Sequence, residues 1–394
     1  MRNLKRVIGL TMAGALVLAA TPALAQDESP AADESMAATG PLDICFIHED
    51  LETEFWLAGH KAMTETLAAQ GDNVLERYSP DANGQLQLLK DCIAQGVDAI
   101  FVIPKDGSIA LTLIEEANNA NIPIGIFNRP PQSEDGAAIV VQADNRTIAR
   151  DAVQFIADQA IAAGKQVTPL IMVGDLGDPN AIGRYEGFYD VIEANPDLWL
   201  TEPIEVPTNW DAATAQANLQ AAIAANPDVD FLFTSSDFLF PTIKGILEPL
   251  GKWVTRDDPN HVLMAGLDGD VNACRQIRDG YVDSTGVQNL YFEAETMLDA
   301  LLQAVADGET QPDAWLDDPG FALTAGNFAD RAMDMWGCIL LADEETEIPE
   351  GFDLEVGTRL GDQVQVFAPF DVLCDLANTE DVIAIQQPIE PILE

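Results

Sequence analysis

Along most of this chain, short and almost wholly apolar runs alternate with longer stretches whose apolar positions recur every three or four residues. The first run, Ile44-Cys45-Phe46-Ile47, is bounded by polar residues and has the length of one buried strand. A loop rich in acid follows, from His48 through Glu49, Asp50 and Glu52 to Glu54. Phe55, Gly59, Ala62, Met63, Thr66 and Leu67 then fall at helical spacing, which predicts one packed helix face, and Gly71 is placed to end the helix.

The same unit repeats. Further strands are predicted at 74–78, 98–103, 122–127 and 138–142, separated by helices at 85–95 and 108–120. A second series begins after Asp144, with helices at 146–163, 180–195, 211–225, 240–250 and 270–279 and strands at 167–173, 204–206, 229–234, 262–267 and 282–287. Continuous apolar strands between amphipathic helices specify parallel sheets covered on both faces. The predicted fold class is therefore α/β, with two similar doubly wound parallel-sheet lobes joined by a hinge and a ligand cleft between them. Crevices at the carboxyl ends of such strands are where ligands sit, so the loop from His48 to Trp56 is a candidate wall. The chain passes between series near Asp144 and again near Gln288, and a helix at 291–306 should return to the first lobe. These readings place the N-terminal lobe at 41–143 plus about 289–325. The C-terminal lobe takes 144–288 plus part of 326–394, where the pattern weakens into hinge-associated tail.

With 394 residues, two domains are the expectation on length alone. Residues 1–25 carry Arg2, Lys5 and Arg6, an apolar stretch too short to span a bilayer, and Ala23-Leu24-Ala25, which together read as a cleavable secretory signal. Residues 26–40 are small and acidic and read as a disordered leader. The expected location is the periplasm or another extracytoplasmic space. Removing three basic residues with the signal takes the formal net charge from −47 to −50. A chain so acidic repels phosphate backbones and anionic lipid, which argues against nucleic-acid or peripheral membrane partners. Adaptation to a salty medium is the simplest reading of the acidity.

Five cysteines without CxxC spacing disfavour a zinc site; Cys338 with Cys374 is the expected bridge, and Cys45 reads as a small buried apolar residue. His48, His60 and His261 are too scattered to suggest a metal site. Asp268-Gly269-Asp270 imitates the start of a calcium loop, but Ala273 and Asp279 stand where Gly and Glu are needed, so a capped helix start fits better. No G-x-S-x-G, P-loop or G-x-G-x-x-G is present, so no catalysis and no cofactor is expected.

Nine local phrases occur in a telling order: FWLAGHKAM, IAQGVDAIFVIPKDGSIA, NIPIGIFNRP, VVQADN, GRYEGF, NWDAATA, FLFTSSD, MAGLDGD and STGVQN. Together, over about residues 42 to 308, the chain resembles the type I periplasmic binding proteins of the ribose, galactose and xylose group, the substrate-capture subunits of sugar ABC transporters. The resemblance implies a monomer that closes two lobes on a small polyhydroxylated ligand and then docks on a permease. It carries the family's aromatic pair onto Phe55 and Trp56 and a further aromatic onto Trp210. Phe55, opening an amphipathic helix, suits core as well as pocket. The family's arginines fall on Arg129 and Arg184, its acid on Asp268 and its crossover amide on Gln288. Two positions depart: Asn128 stands where the family has aspartate, and Ser236 precedes Asp237 where it has asparagine. With two arginines kept and one carboxylate lost, an acidic ligand such as a sugar acid is an open expectation. The rival within the same fold is a receptor presenting a signal molecule to a membrane kinase or chemoreceptor. A transcriptional regulator is disfavoured by the signal segment and the missing basic helix-turn-helix.

The charge generates one prediction. Because closely spaced carboxylates repel one another less when screened, the melting temperature should rise from dilute buffer to molar salt; an unchanged value would contradict the salt-adaptation reading.

Overall fold

The computed structural model of the protein describes residues 40–50, 53–345, 355–360 and 363–367. The expected signal segment, nearly all of the leader and Cys374 lie outside those residues.

The first series contains strands β1 (Asp43–His48), β2 (Asn73–Tyr78), β3 (Ala99–Val102), β4 (Ile124–Phe127) and β5 (Ile139–Ala143). Helices α1 (Glu54–Gln70), α2 (Ala82–Gln95) and α3 (Gly107–Ala120) interleave with them. Helix α4 (Asn145–Ala162) opens the second series. Strands β6 (Pro169–Val173), β7 (Ile204–Pro207), β8 (Phe231–Thr234), β9 (Leu263–Asp268) and β10 (Ser284–Val287) then alternate with helices α5 (Pro179–Ala194), α6 (Ala212–Ala225), α7 (Phe240–Leu247) and α8 (Val271–Asp279). Helix α9 (Leu290–Ala306) packs on α1, β4 and β5 of the first series. Strands β11 (Ala314–Asp318) and β12 (Phe321–Thr324) follow, then α10 (Phe328–Arg331) and α11 (Trp336–Glu345), the latter against α8. β13 (Glu355–Leu360) and β14 (Gln363–Phe367) form an antiparallel pair.

Two six-stranded sheets result. The first has the order β11-β5-β4-β3-β1-β2 and is parallel throughout; the second, β12-β10-β9-β8-β6-β7, is parallel except for β12 on β10. β1, β3, β4, β6, β8 and β9 are almost entirely buried, as their largely apolar runs require, and β10 is buried too although its sequence is Ser-Thr-Gly-Val. Helix starts are set by side-chain caps: Asp81, Asp106, Asp144, Asp178, Asp211, Asp270 and Asn289 each accept a bond from a first-turn amide. α1 presents a narrower face than expected, since Phe55, Gly59, Met63 and Leu67 are buried but Thr66 is exposed.

Among the described residues the chain crosses between sheets three times. The first two crossings, near Asp144 and Gln288, lie where the sequence predicts them. The third corrects the expected lobe boundary at 325: β11 belongs to the first sheet and β12 to the second, so the chain changes lobes at Pro319-Gly320. Asp318 ties the crossings together, accepting bonds from the Asn289 amide at 2.5 Å and the Gly320 amide at 2.9 Å, while its carbonyl accepts from the Asp144 amide at 3.3 Å. Gly320 has φ 49°, and a Cβ there would meet the Val287 carbonyl at 2.6 Å, so glycine is required at this crossing.

The cysteines also correct expectation. Cys45 is bridged to Cys92 and Cys274 to Cys338, not Cys338 to Cys374. β1 alternates its faces: Phe46 points into the core under α1, while Cys45 points the other way, into the cluster that contains Cys92 and Leu89 of α2. The second bridge pins α11 to α8. Replacing Cys274 and Cys338 together by serine should lower unfolding stability by about 2–5 kcal/mol, read as an earlier denaturant midpoint. Non-reduced peptide mapping should return the 45–92 and 274–338 pairs; a peptide joining Cys338 to any other cysteine would contradict this.

Candidate functional site

The carboxyl ends of the two sheets face each other across a cavity of about 280 Å³. All nine residues singled out from the sequence, Phe55, Trp56, Asn128, Arg129, Arg184, Trp210, Ser236, Asp268 and Gln288, line it. Each follows the carboxyl end of a strand or opens the next helix: Phe55 and Trp56 after β1, Asn128 and Arg129 after β4, Arg184 on α5, and Trp210, Ser236, Asp268 and Gln288 after β7, β8, β9 and β10.

Arg129 is the most constrained. It is 4% exposed, and its Nε donates to Asp178 Oδ2 at 2.8 Å across the lobes. Its Nη1 reaches Glu49 and the carbonyls of Pro104 at 2.8 Å and Lys105 at 3.1 Å. Burial works against the guanidinium charge, but Asp178 and Glu49 outweigh it, so the pKa is raised and the group stays ionised. Glu49 also accepts from Lys105 Nζ at 3.1 Å, and the Asp178 carboxylate from Trp210 Nε1 at 3.2 Å. Asn128, before Arg129, has φ 61°, a left-handed conformation that asparagine tolerates better than most residues. It turns the chain so that both side chains point into the cleft.

Six side chains beneath this pair close a ring. Arg184 donates to Asn145 (2.7 Å), Asn145 to Asn180 (3.0 Å), Asn180 to Asn128 (3.1 Å), Asn128 to Gln288 (2.9 Å) and Gln288 to Asp268 (3.0 Å). Asp268 returns to Arg184 at 3.0 Å. Within the ring every amide donates one bond and accepts one, which fixes each amide's orientation, and Asn128 and Asn145 donate further bonds to Glu293 and the Ala143 carbonyl. Asn128 is the first lobe's member; an aspartate there could accept from Asn180 but not donate to Gln288. The exchange of aspartate for asparagine thus has a structural consequence beyond charge. Ser236 donates to Asp268 as well.

The aromatic walls are held by packing. Trp56 meets Phe55 edge-on at 4.9 Å between ring centroids, with the Arg129 guanidinium 5.3 Å from its own ring centre. Phe55 is both core and pocket, 7% exposed and set edge-on to Trp336 at 5.9 Å. The Trp210 ring lies on Gly174, where a Cβ would come within 2.2 Å of it, and the Arg184 guanidinium sits 5.5 Å from its centre. Both indoles are half-buried, leaving area for a guest.

Glu49 lies on the first loop, whose acids the sequence offers as counter-charges to the arginines, and it pairs with Arg129; Lys105, Asn145, Asp178, Asn180 and Trp336 were not assigned from sequence. Asp178-Pro179, a capping acid before a proline at the first helical turn, was the signal available for Asp178. Trp336, whose Nε1 donates to the Asp268 carbonyl at 3.0 Å, comes from the segment whose pattern is weakest.

Behind Asp268 lie more carboxyl groups. Asp237 accepts from the Gly269 amide at 2.7 Å and from Thr285 Oγ1 at 2.8 Å; burial first, and Asp268 second, push it up to about 7. Burial and Asp237 raise Asp270, which caps α8 as expected by accepting from the Ala273 amide at 2.7 Å. Glu293, beneath Asn128, is raised by burial and by Asp318.

A family model described as the periplasmic binding protein domain matches residues 44–310. The ribose import binding protein of Bacillus subtilis is 26% identical over 209 residues, 53% of this chain and 63% of that protein. The xylitol-binding protein of Mycolicibacterium smegmatis is 25% identical over 246 residues, 62% of this chain and 65% of that one. The chain thus spans a little under two thirds of these relatives' length. Among solved structures, a carbohydrate transporter solute-binding protein from Agrobacterium radiobacter in complex with D-arabinose superposes with TM-score 0.65 at 20% identity, covering 75% of this chain and 99% of that one. The Caulobacter myo-inositol binding protein bound to myo-inositol gives TM-score 0.65 at 18% identity, covering 75% and 100%. These likenesses establish the fold.

The buried acids generate a pH prediction. A carboxyl whose folded pKa is raised favours the folded state below its unfolded value and loses that contribution as pH climbs through the folded one. For Asp237 the window runs from about pH 4, the unfolded value, to about 7. The melting temperature at fixed ionic strength should therefore fall across this window, and Asp237→Asn should flatten the fall. Parallel profiles for the two proteins would contradict it.

Proposed function

The chain belongs to the periplasmic binding protein domain family, and from that premise we propose that it captures one small polyhydroxylated molecule between its lobes and delivers it to the permease of an ABC importer. The setting for such a role is the extracytoplasmic space.

The observation that carries this reading is the make-up of one cavity wall. Two half-buried indoles, Trp56 and Trp210, supply flat faces for the C–H surfaces of a sugar ring. Arg129, Arg184, Asn128, Gln288 and Asp268 supply planar polar groups for its hydroxyl edge. At about 280 Å³ the cavity is at the small end of ligand sites, which suits a single pentose, hexose or cyclitol. The named ligands of the relatives and structural neighbours, ribose, xylitol, D-arabinose and myo-inositol, are all neutral polyhydroxylated molecules of five or six carbons.

The charge pattern favours a neutral guest over the sugar acid that the sequence left open. Arg129 is matched by Glu49 and Asp178, Arg184 by Asp268 and Lys105 by Glu49. An added anion would compete with carboxylates already seated on these cations. The role is binding without turnover, since Glu49, Asp178 and Asp268 are all held in ion pairs rather than poised as acid and base.

A thermal-shift screen of pentoses, hexoses, cyclitols and sugar acids should find a neutral polyol that raises the melting temperature, because a ligand binding only the folded state stabilises it. Calorimetry should show Trp210→Ala weakening that ligand by about 1–3 kcal/mol, roughly 5- to 150-fold. A uronate binding tighter than its neutral parent would overturn the charge argument, and full affinity in the variant would place Trp210 outside the site.

A further inference from the structure

On the outer edge of the first sheet, beside the cleft whose lining includes the neighbouring Glu49 and Tyr78, three chemistry-bearing side chains converge from three elements. β1 and β2 pair in parallel with Phe46 opposite Glu76 and His48 opposite Tyr78, so Phe46, His48, Glu76 and Tyr78 project from the same face. α1 covers that face and brings His60 onto Phe46, with ring centroids 5.4 Å apart. His48 and His60 meet edge to face at 5.0 Å. One potential ligand atom from each of His48, His60 and Glu76 lies within 4.8 Å of the other two.

The contact of His60 Nε2 with Glu76 Oε2 at 2.8 Å would by itself be an ordinary surface pair. His48 makes the difference. It is 4% exposed, and its Nδ1 is buried with no hydrogen-bond partner. Leaving such a nitrogen unsatisfied is costly, and nearly every buried polar atom has a partner. Access is provided by His60 and Glu76, whose side chains are 21% and 48% exposed.

We propose that His48, His60 and Glu76 bind one divalent transition-metal ion of the zinc class. Two imidazoles and a carboxylate are a donor set that zinc takes with a fourth, water-filled position, at about 2.0–2.2 Å from each ligand atom. That bond length spaces the ligand atoms about 3 Å apart or slightly more, within reach of small rotations from the geometry here. Phe46 and Tyr78 supply an apolar wall around the imidazoles, the Tyr78 ring centroid 5.8 Å from that of His48. Magnesium and calcium, which demand oxygen-rich sites, fit this set poorly. The sequence concealed the cluster because its members are separated by a helix turn, a loop and a strand crossing, and only the β1–β2 register brings them together.

The test uses the full chain, freed of metal by chelation and titrated with zinc chloride against a chromophoric chelator. Magnesium is held in excess so that surface carboxylates are already occupied. One equivalent of zinc should bind, with affinity falling at least 10-fold in both His60→Ala and Glu76→Gln. Both replaced side chains are partly exposed, and unchanged melting of the chelated variants verifies folding. A zinc-soaked crystal should show an anomalous peak between the three side chains. Absence of stoichiometric binding, or equal affinity in the wild type and both variants, would overturn the site.

Discussion

A buried guanidinium is tolerable only where opposite charge and hydrogen-bond acceptors surround it. Arg129 meets that condition by drawing on both lobes: Glu49 and two carbonyls come from its own lobe, Asp178 from the other. Much of the cleft is arranged around this requirement. Asn128 takes a left-handed turn to aim the arginine inward, the capping acid of α5 is its partner, and Trp56 and Trp210 stack or bond against the same cluster. Separating the lobes would part Arg129 from Asp178 and let water reach both, so the pair is strong when closed and dispensable when open. A contact of this type suits a hinged receptor better than an apolar seal, which would resist reopening.

Beneath the pair, the ring from Arg184 through Asn145, Asn180, Asn128, Gln288 and Asp268 sets the chemistry that a guest would meet. Its members are buried, and two of them, Asn145 and Gln288, sit at crossings, so the hinge and the floor of the cleft share side chains. Asp318 and Glu293 extend it toward the third crossing. Burial raises the carboxyls there and at Asp237, while Asp268 keeps Arg184 as its ion-pair partner. The cluster of His48, His60 and Glu76 shares no member with it and lies on the edge of the first sheet, next to Glu49 and Tyr78 of the cavity lining.

Much of the fold was legible because parallel strands must be buried on both faces. Runs such as Ile44–Ile47 and Phe231–Thr234 could therefore be neither edge strands nor loops, and the glycine and asparagine stops marked most helix ends. The cleft residues were legible for a related reason: they follow strand ends, and the family phrases surround them. What escaped notice depends on which elements become neighbours. The Cys45–Cys92 bridge follows from the packing of α2 on β1, and the histidine pair from the β1–β2 register; neither is encoded in spacing. The crossing at Pro319-Gly320 was hidden because every position of β11 is polar or half-exposed and β12 has only four residues. Asp178 was lost among 66 acids, where one more carboxylate has little power to stand out.

Closure of the two lobes around a small neutral polyol is tested most directly by small-angle X-ray scattering. The chain would be titrated with whichever polyol raises its melting temperature most. Closure predicts a radius of gyration that shrinks and saturates at one equivalent of ligand. A radius that stays constant through saturation, with binding confirmed by calorimetry in the same sample, would contradict it.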